Sequence, residues 1–401
     1  FGRLGDLVGR KHTFLVTVIV MGAATFLVGL LPTYSSVGIL APTLLVLLRM
    51  LQGLAIGGEY GGAATYVAEH VPGERRGAYT SWIQMTATAG LFLSLLVIMA
   101  CRSLMPVEAF NSWGWRLPFL ISALLLAVSV WIRLQLDESP VFKRMQEEGK
   151  GSKAPLRESF AKWSNLKIVL LALFGLSMGE AVVWYTGQFY ALIFLTQVVK
   201  VEPQTANLLV AGGLVIGTPF YVIYGWFSDR IGRKPIIMAG CLLAALTYMP
   251  IFHGITHFAN PALERAQETA PVTVSADPAE CSLQFNPVGT SAFTSSCDVA
   301  KSALVKRGVP YSNIALPAGS TAQIHVGGAL VASYDAKAAG AKEKAAAFDA
   351  ALTAALTQAR YPAKADPTEI NAPMVVLLIA VLVIFAALTY GPIAAMLVEL
   401  F

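Results

Sequence analysis

Arg49 and Glu59 stand inside one long apolar run, residues 38–68. Charge within a bilayer-length segment is costly, so each such residue is a functional candidate that must face a protein interior or a wet cavity. Gln52 belongs with them. On a helix, Gln52 and Glu59 lie about 20° apart and Arg49 about 60° from Gln52, so one polar sector, with Tyr60 next to Glu59, runs along an otherwise small and apolar face. A second set lies in the run 167–198, where Glu180, Trp184 and Gln188 are spaced i, i+4, i+8, with Tyr185 beside the indole. A carboxylate, an indole and an amide in one stripe suit the lining of a polar cavity. Desolvation favours the neutral form of a carboxylate, so Glu59 or Glu180 could take up and release a proton. Arg49 could attract an anion or tune such a carboxylate.

A ten-residue pattern, G-x-x-x-D-x-x-G-R-K, occurs twice. It runs from Gly2 through Asp6, Gly9 and Arg10 to Lys11, and from Gly225 through Asp229, Arg230, Gly232 and Arg233 to Lys234. Each copy joins two apolar runs. A repeat whose period covers several spans points to two related halves, a plan common among secondary transporters. The aspartate can cap a helix N-terminus or pair with an arginine, and the glycine permits a tight turn. We read Asp6, Gly9, Arg10, Asp229, Arg230, Gly232 and Arg233 as a conformational latch.

The elements that position these residues are apolar. The chain is 56% hydrophobic and 13% charged, against roughly 25% charged in soluble domains. Eight runs are long enough to cross a bilayer: 13–33, 38–68, 78–104, 115–136, 167–198, 205–227, 235–256 and 373–400. Lys and Arg concentrate in alternate connections, at 2–12, 71–77, 137–167 and 228–234, which assigns those connections to the cytoplasm. The net charge of +5 follows from this clustering and does not imply nucleic acid. Glycines at intervals of four (Gly53, Gly57, Gly61; Gly58, Gly62) would let another helix approach the second run closely. Phe1 already lies in the first turn and Phe401 closes an apolar run, so the chain reads as cut at both ends.

Residues 257–372 differ: they are polar, rich in Pro, Ala, Ser and Thr, and assigned to the periplasmic side. Residues 322–331 read as a strand pair turning at Gly327-Gly328, and 336–359 as an amphipathic helix with Phe348, Leu352, Ala355 and Leu356 on its stripe. Cys281 and Cys297 are expected to form a disulfide in that oxidising compartment. A stalk without fixed structure is the competing reading. The five histidines lack metal-ligand spacing. His253 and His257 are i, i+4 without an evident acidic partner, which reads as an interfacial pair.

The two turns, together with Arg49, Gln52 and Gly53 as R-x-x-Q-G, resemble the major facilitator superfamily. Gly57-Gly-Glu-Tyr-Gly61 and Trp184-Tyr-Thr-Gly-Gln-Phe-Tyr190 are similar to its metabolite:proton symporter family, the permeases for 2-oxoglutarate, shikimate, and proline or betaine. Thr389-Tyr-Gly-Pro392 and Glu399-Leu-Phe401 resemble that family's tenth helix. The resemblance implies an all-α membrane bundle holding eight of twelve helices: helices 3–6 in 1–136, a cytoplasmic linker at 137–166, helices 7–9 in 167–256, the insert at 257–372 and helix 10 in 373–401. Leu7 departs from the family, which usually has Arg after the Asp, and the insert replaces a short outer loop. The implied activity is proton-coupled symport of a small organic solute, a carboxylate by the Arg49 argument, across the inner membrane by a monomer, with no cofactor and no enzymatic reaction. An efflux antiporter, and a sensor whose insert binds ligand, are the alternatives.

Overall fold

The computed structural model describes residues 10–135, 137, 143–144, 147–148, 155–284 and 292–400. Its long helices are α1 (Arg10–Gly29), α2 (Leu40–His70), α3 (Arg76–Leu104), α4 (Leu117–Gln135), α5 (Trp163–Val198), α6 (Pro203–Gly217), α7 (Pro219–Ile231) and α8 (Arg233–Ala259). Near the end of the chain come a further long helix, Ala372–Tyr390, and the short Ile393–Leu400. Pro219 divides α6 from α7 and Gly391-Pro392 divides the last two, because proline cannot supply the amide that a continuous helix needs. Counting each divided pair as one span, eight helices among the described residues are long and apolar enough to cross a membrane. Many of their apolar side chains are exposed: α4 buries no residue, and its Leu124, Leu125 and Trp131 lie on the surface. Such a surface suits lipid, where the helix satisfies its own backbone polar groups.

The chain forms two compact units. The first comprises Phe1–Gln188, Ala211–Leu246 and Ala380–Phe401. In it α1 packs on α2 and α4, α3 packs on α7, and Ile393–Leu400 packs on α2 and α3. The α3–α7 crossing is a glycine contact. A Cβ on Gly77 would stand 2.4 Å from the Gly225 carbonyl oxygen, and one on Gly225 2.6 Å from that of Gly77. The glycine row on α2 does not act in this way at three of its positions: Gly53, Gly57 and Gly61 meet nothing within 4 Å among the described residues, whereas Gly62 abuts the Phe14 ring.

The second unit comprises Phe189–Val210 and Thr247–Ile379. Beyond α8 it contains α9 (Pro261–Thr269), β1 (Val272–Ala276), α10 (Ser296–Lys306), β2 (Ser312–Ala315), β3 (Gln323–Val326), β4 (Ala329–Ala332) and α11 (Ala341–Gln358). With these introduced, the closing helices become α12 (Ala372–Tyr390) and α13 (Ile393–Leu400). The strand order is β2-β1-β3-β4, with β1 parallel to β2 and antiparallel to β3. The expected hairpin is present, Ile324 opposite Val331, with Gly327 at φ +54° in its turn. Phe348, Leu352, Ala355 and Leu356 of α11 join Val274, Ile324, Ala300 and Leu304 in one core. The insert is therefore a folded α/β layer. It qualifies the all-α expectation and excludes the stalk. Cys281 and Cys297 are bonded, with Cα atoms 5.2 Å apart, tying the segment after β1 to the start of α10.

Candidate functional site

The first unit holds two separate polar clusters. One lies among α1, α2 and α4. Arg49 is exposed and donates to Gln52 Oε1 at 3.1 Å, and Gln52 donates to Thr25 at 2.9 Å. Glu59 forms an ion pair with Arg133 of α4, whose guanidinium also lies 4.9 Å from the Phe14 ring centre. Glu59 and Thr25 line a cavity of about 230 Å³ with Val18, Met21 and Ser129. An aliphatic wall and a compensated carboxylate make this a helix-fastening arrangement.

The other cluster joins α2, α3, α5, α7 and α12. Tyr60 stacks on Tyr390, ring centres 6.3 Å apart; Trp184 lies 5.8 Å and Tyr221 6.1 Å from the same ring. Gln188 donates to Thr88 at 3.1 Å and to the Tyr221 hydroxyl at 2.9 Å, while Gln84 donates to the Tyr60 hydroxyl. Both amides are fully buried, and among the described residues the carbonyl oxygens of Gln84 and Gln188 accept no hydrogen bond. Buried acceptors of this kind are rare and point to a missing donor. Glu180 lies near this group, its charge acting on Tyr60, Tyr221 and Tyr390. Among the described residues it has no basic partner. Tyr185 meets the Trp184 edge but is largely exposed. In α5, Gln188 sits in the π-helical turn Thr186–Tyr190, a wide turn frequent at functional sites.

The two polar sets read from the sequence do not line one cavity. Tyr60, Trp184 and Gln188 come together, with Glu180 on the same cluster; Arg49, Gln52 and Glu59 do not join them. Gln52 and Tyr60 leave α2 on different faces, and Glu59 is drawn to Arg133. Sequence reasoning missed Gln84, Thr88, Tyr221 and Arg133. Gln84 and Thr88 had a readable signal, since Gly77, Ser81, Gln84 and Thr88 form a small and polar stripe at i, i+4, i+7, i+11 along an apolar run.

The second copy of the G-x-x-x-D-x-x-G-R-K turn has definite geometry. Asp229 accepts from the Gly77 and Ala78 amides at 2.8 and 2.9 Å, at the N-terminus of α3, and from Arg233 at 2.7 Å. An anion there meets orphan amides and the positive end of the helix. Arg233 also reaches Glu399 of α13 at 2.9 Å. Gly232 sits at φ +93°, a conformation that disfavours any side chain. Arg230 is not part of the network; its guanidinium stacks 3.8 Å from the Trp226 ring centre. Asp6 and Gly9 lie outside the described residues, as does the side chain of Arg10.

A family model for the Major Facilitator Superfamily matches residues 1–260. The chain belongs to that superfamily. The Major Facilitator relatives include the shikimate transporter of Escherichia coli, 35% identical over 63% of this chain and 57% of its own length. The alpha-ketoglutarate permease of the same organism is 32% identical over 65% and 59%, and its proline/betaine transporter 32% over 63% and 52%. The chain spans between half and three fifths of the length of these relatives. Among solved structures, the proton:xylose symporter XylE aligns at a TM-score of 0.49 and 18% identity, over 64% of this chain and 61% of that one. The match to the family model ends where the insert begins. One further correction falls at that boundary: His257 and His253 do have an acidic neighbour, Glu264 of α9, at 2.6 and 3.9 Å.

Proposed function

We propose that the protein containing this chain is a secondary transporter that couples uptake of a small polar organic solute to protons across the bacterial inner membrane, with Glu180 as the proton-carrying carboxylate. The observation behind this reading is the contrast between the two intramembrane acids. Glu59 is held by Arg133. Glu180 lies near Tyr60, Tyr221 and Tyr390, with no basic partner among the described residues. A carboxylate so placed can neutralise itself by taking a proton when the cavity dries around it. The unmatched carbonyls of Gln84 and Gln188 would receive donors from the solute or from water that accompanies it. Arg49 lies in the other cluster, so the residue-level argument for a carboxylate substrate falls away and the solute class is left at small and polar.

Alternating access needs a contact that forms in one state and breaks in the other. Asp229 on the α3 N-terminus is suited to that role, since the α7–α8 turn and α3 belong to the two sequence halves. In this reading the basic turns are cytoplasmic and the insert periplasmic, so the engaged latch closes the cytoplasmic side.

The test is uptake by the full-length carrier in proteoliposomes, with shikimate, 2-oxoglutarate, proline and glycine betaine offered under an imposed pH gradient. Accumulation of one of them that collapses with a protonophore supports the proposal. Uptake that follows only its own gradient, with or without the protonophore, would refute proton coupling.

A further inference from the structure

The second unit contains a basic pocket that the transport reading does not use. Its cavity, about 310 Å³, lies at the lower end of the size expected for small-molecule sites. Lys200, Lys306 and Arg307 supply its polar rim, and Leu263 and Leu356 part of its apolar wall. Lys306 and Arg307 end α10, where cations suit the helix dipole without any ligand. Lys200 likewise stands just past the C-terminus of α5, and its φ of +66° is the left-handed conformation that often ends a helix, here with the Val201 amide bonded back to the Leu195 carbonyl at 2.9 Å. The Lys200 carbonyl is held by the Ala365 amide at 3.0 Å. Gly308, also left-handed at φ +61°, packs so closely that a Cβ there would stand 2.1 Å from the Gln197 carbonyl oxygen and 3.1 Å from Lys200 Nζ. Lys200 Nζ thus lies beside the basic end of α10. Burial and the neighbouring Arg307 both act against the charged form of Lys200. Arg307 has a carboxylate partner, the exposed Asp349. Lys200 and Lys306 have none among the described residues.

Like charges gathered around one cavity repel one another, and an anion among them relieves that repulsion. We propose that this pocket binds a small organic anion, its carboxylate or phosphate held by Lys200, Lys306 and Arg307 and its carbon body against Leu263 and Leu356. Lys200 follows α5 and Leu263 closely follows α8, so the pocket lies near the ends of two spans. The anionic group could be supplied by a dissolved molecule or by a phospholipid headgroup, and the chemistry of recognition is the same.

The test uses the purified full-length carrier in neutral detergent micelles. Succinate and inorganic phosphate are titrated by calorimetry, and phosphatidylglycerol is compared with phosphatidylcholine by native mass spectrometry. Binding with a dissociation constant on the order of 1 mM or tighter is expected for a soluble anion or for phosphatidylglycerol. The Lys200→Gly, Lys306→Gln variant should weaken it about tenfold or more; glycine suits the backbone at 200, so the fold should persist. Asp349→Asn, which removes the competing carboxylate, should tighten it. Binding of succinate or phosphate identifies a dissolved ligand, and selective retention of phosphatidylglycerol identifies a headgroup. No binding by any probe, or equal binding by wild type and both variants, would overturn the proposal.

Discussion

At the scale of single residues, neighbours decide what an acid can do. Asp229 accepts two main-chain amides and a guanidinium, and charge-assisted bonds of this kind contribute about 1.5–3 kcal/mol each. Asp229→Asn should shift the equilibrium between closed and open states by at least about tenfold, which cysteine-labelling rates at the α3 N-terminus would report; unchanged rates would remove the latch assignment. In the insert, the Gly319 and Ala279 amides hold the Asp277 carboxyl below the usual carboxylate range. The folded form prefers the ionised group. Its stabilisation is therefore complete above the unfolded value of about pH 4 and is lost as pH falls through the lowered folded value. Hydrogen exchange at β1 should accelerate over that acid window, and Asp277→Asn should make the same amides less dependent on pH there. An acid response identical in the variant would contradict the assignment. These partners were only partly legible. The sequence marks Glu59, Glu180 and Asp229 as costly charges, but Arg133, Gly77 and Tyr390 reach them only through tertiary contacts far apart in the chain.

At the scale of elements, the eight spans were readable because a bilayer demands long apolar runs, and the hydropathy of each run persists however the helices pack. Which face of a helix packs was less readable. Period-four glycines on α2 look like an approach surface, yet Gly53, Gly57 and Gly61 face open space among the described residues, while Gly77 and Gly225 bring α3 and α7 together. Close packing depends on glycines matched across two helices, and one strand of sequence shows only one side of the match. Gly225→Ala should therefore destabilise the protein by about 1–3 kcal/mol. Gly57→Ala should be neutral or stabilising, by up to about 1 kcal/mol, through helix propensity. Thermal unfolding in detergent distinguishes them, and equal effects would contradict the α3–α7 contact.

For the whole molecule, the bundle and the insert are built on different principles. The bundle exposes many of its apolar side chains, and the insert turns Ile324, Leu304 and Leu352 inward around a four-stranded sheet. The β3–β4 hairpin and α11 were legible because their signals are local. The parallel β1–β2 pairing was not, since its strands are separated by α10 and a disulfide-tied segment, and parallel partners must be distant in sequence. Transport needs the bundle to hold a proton site that responds to the solute, and the account assigns it to Glu180 and withholds it from Glu59. The most direct measurement compares Glu180→Gln and Glu59→Gln carriers in proteoliposomes for two activities: accumulation driven by a pH gradient, and exchange of labelled for unlabelled solute without one. The account predicts that Glu180→Gln loses accumulation and keeps exchange, while Glu59→Gln keeps both. Accumulation against a gradient by Glu180→Gln, driven by pH as in the unaltered carrier, would contradict it.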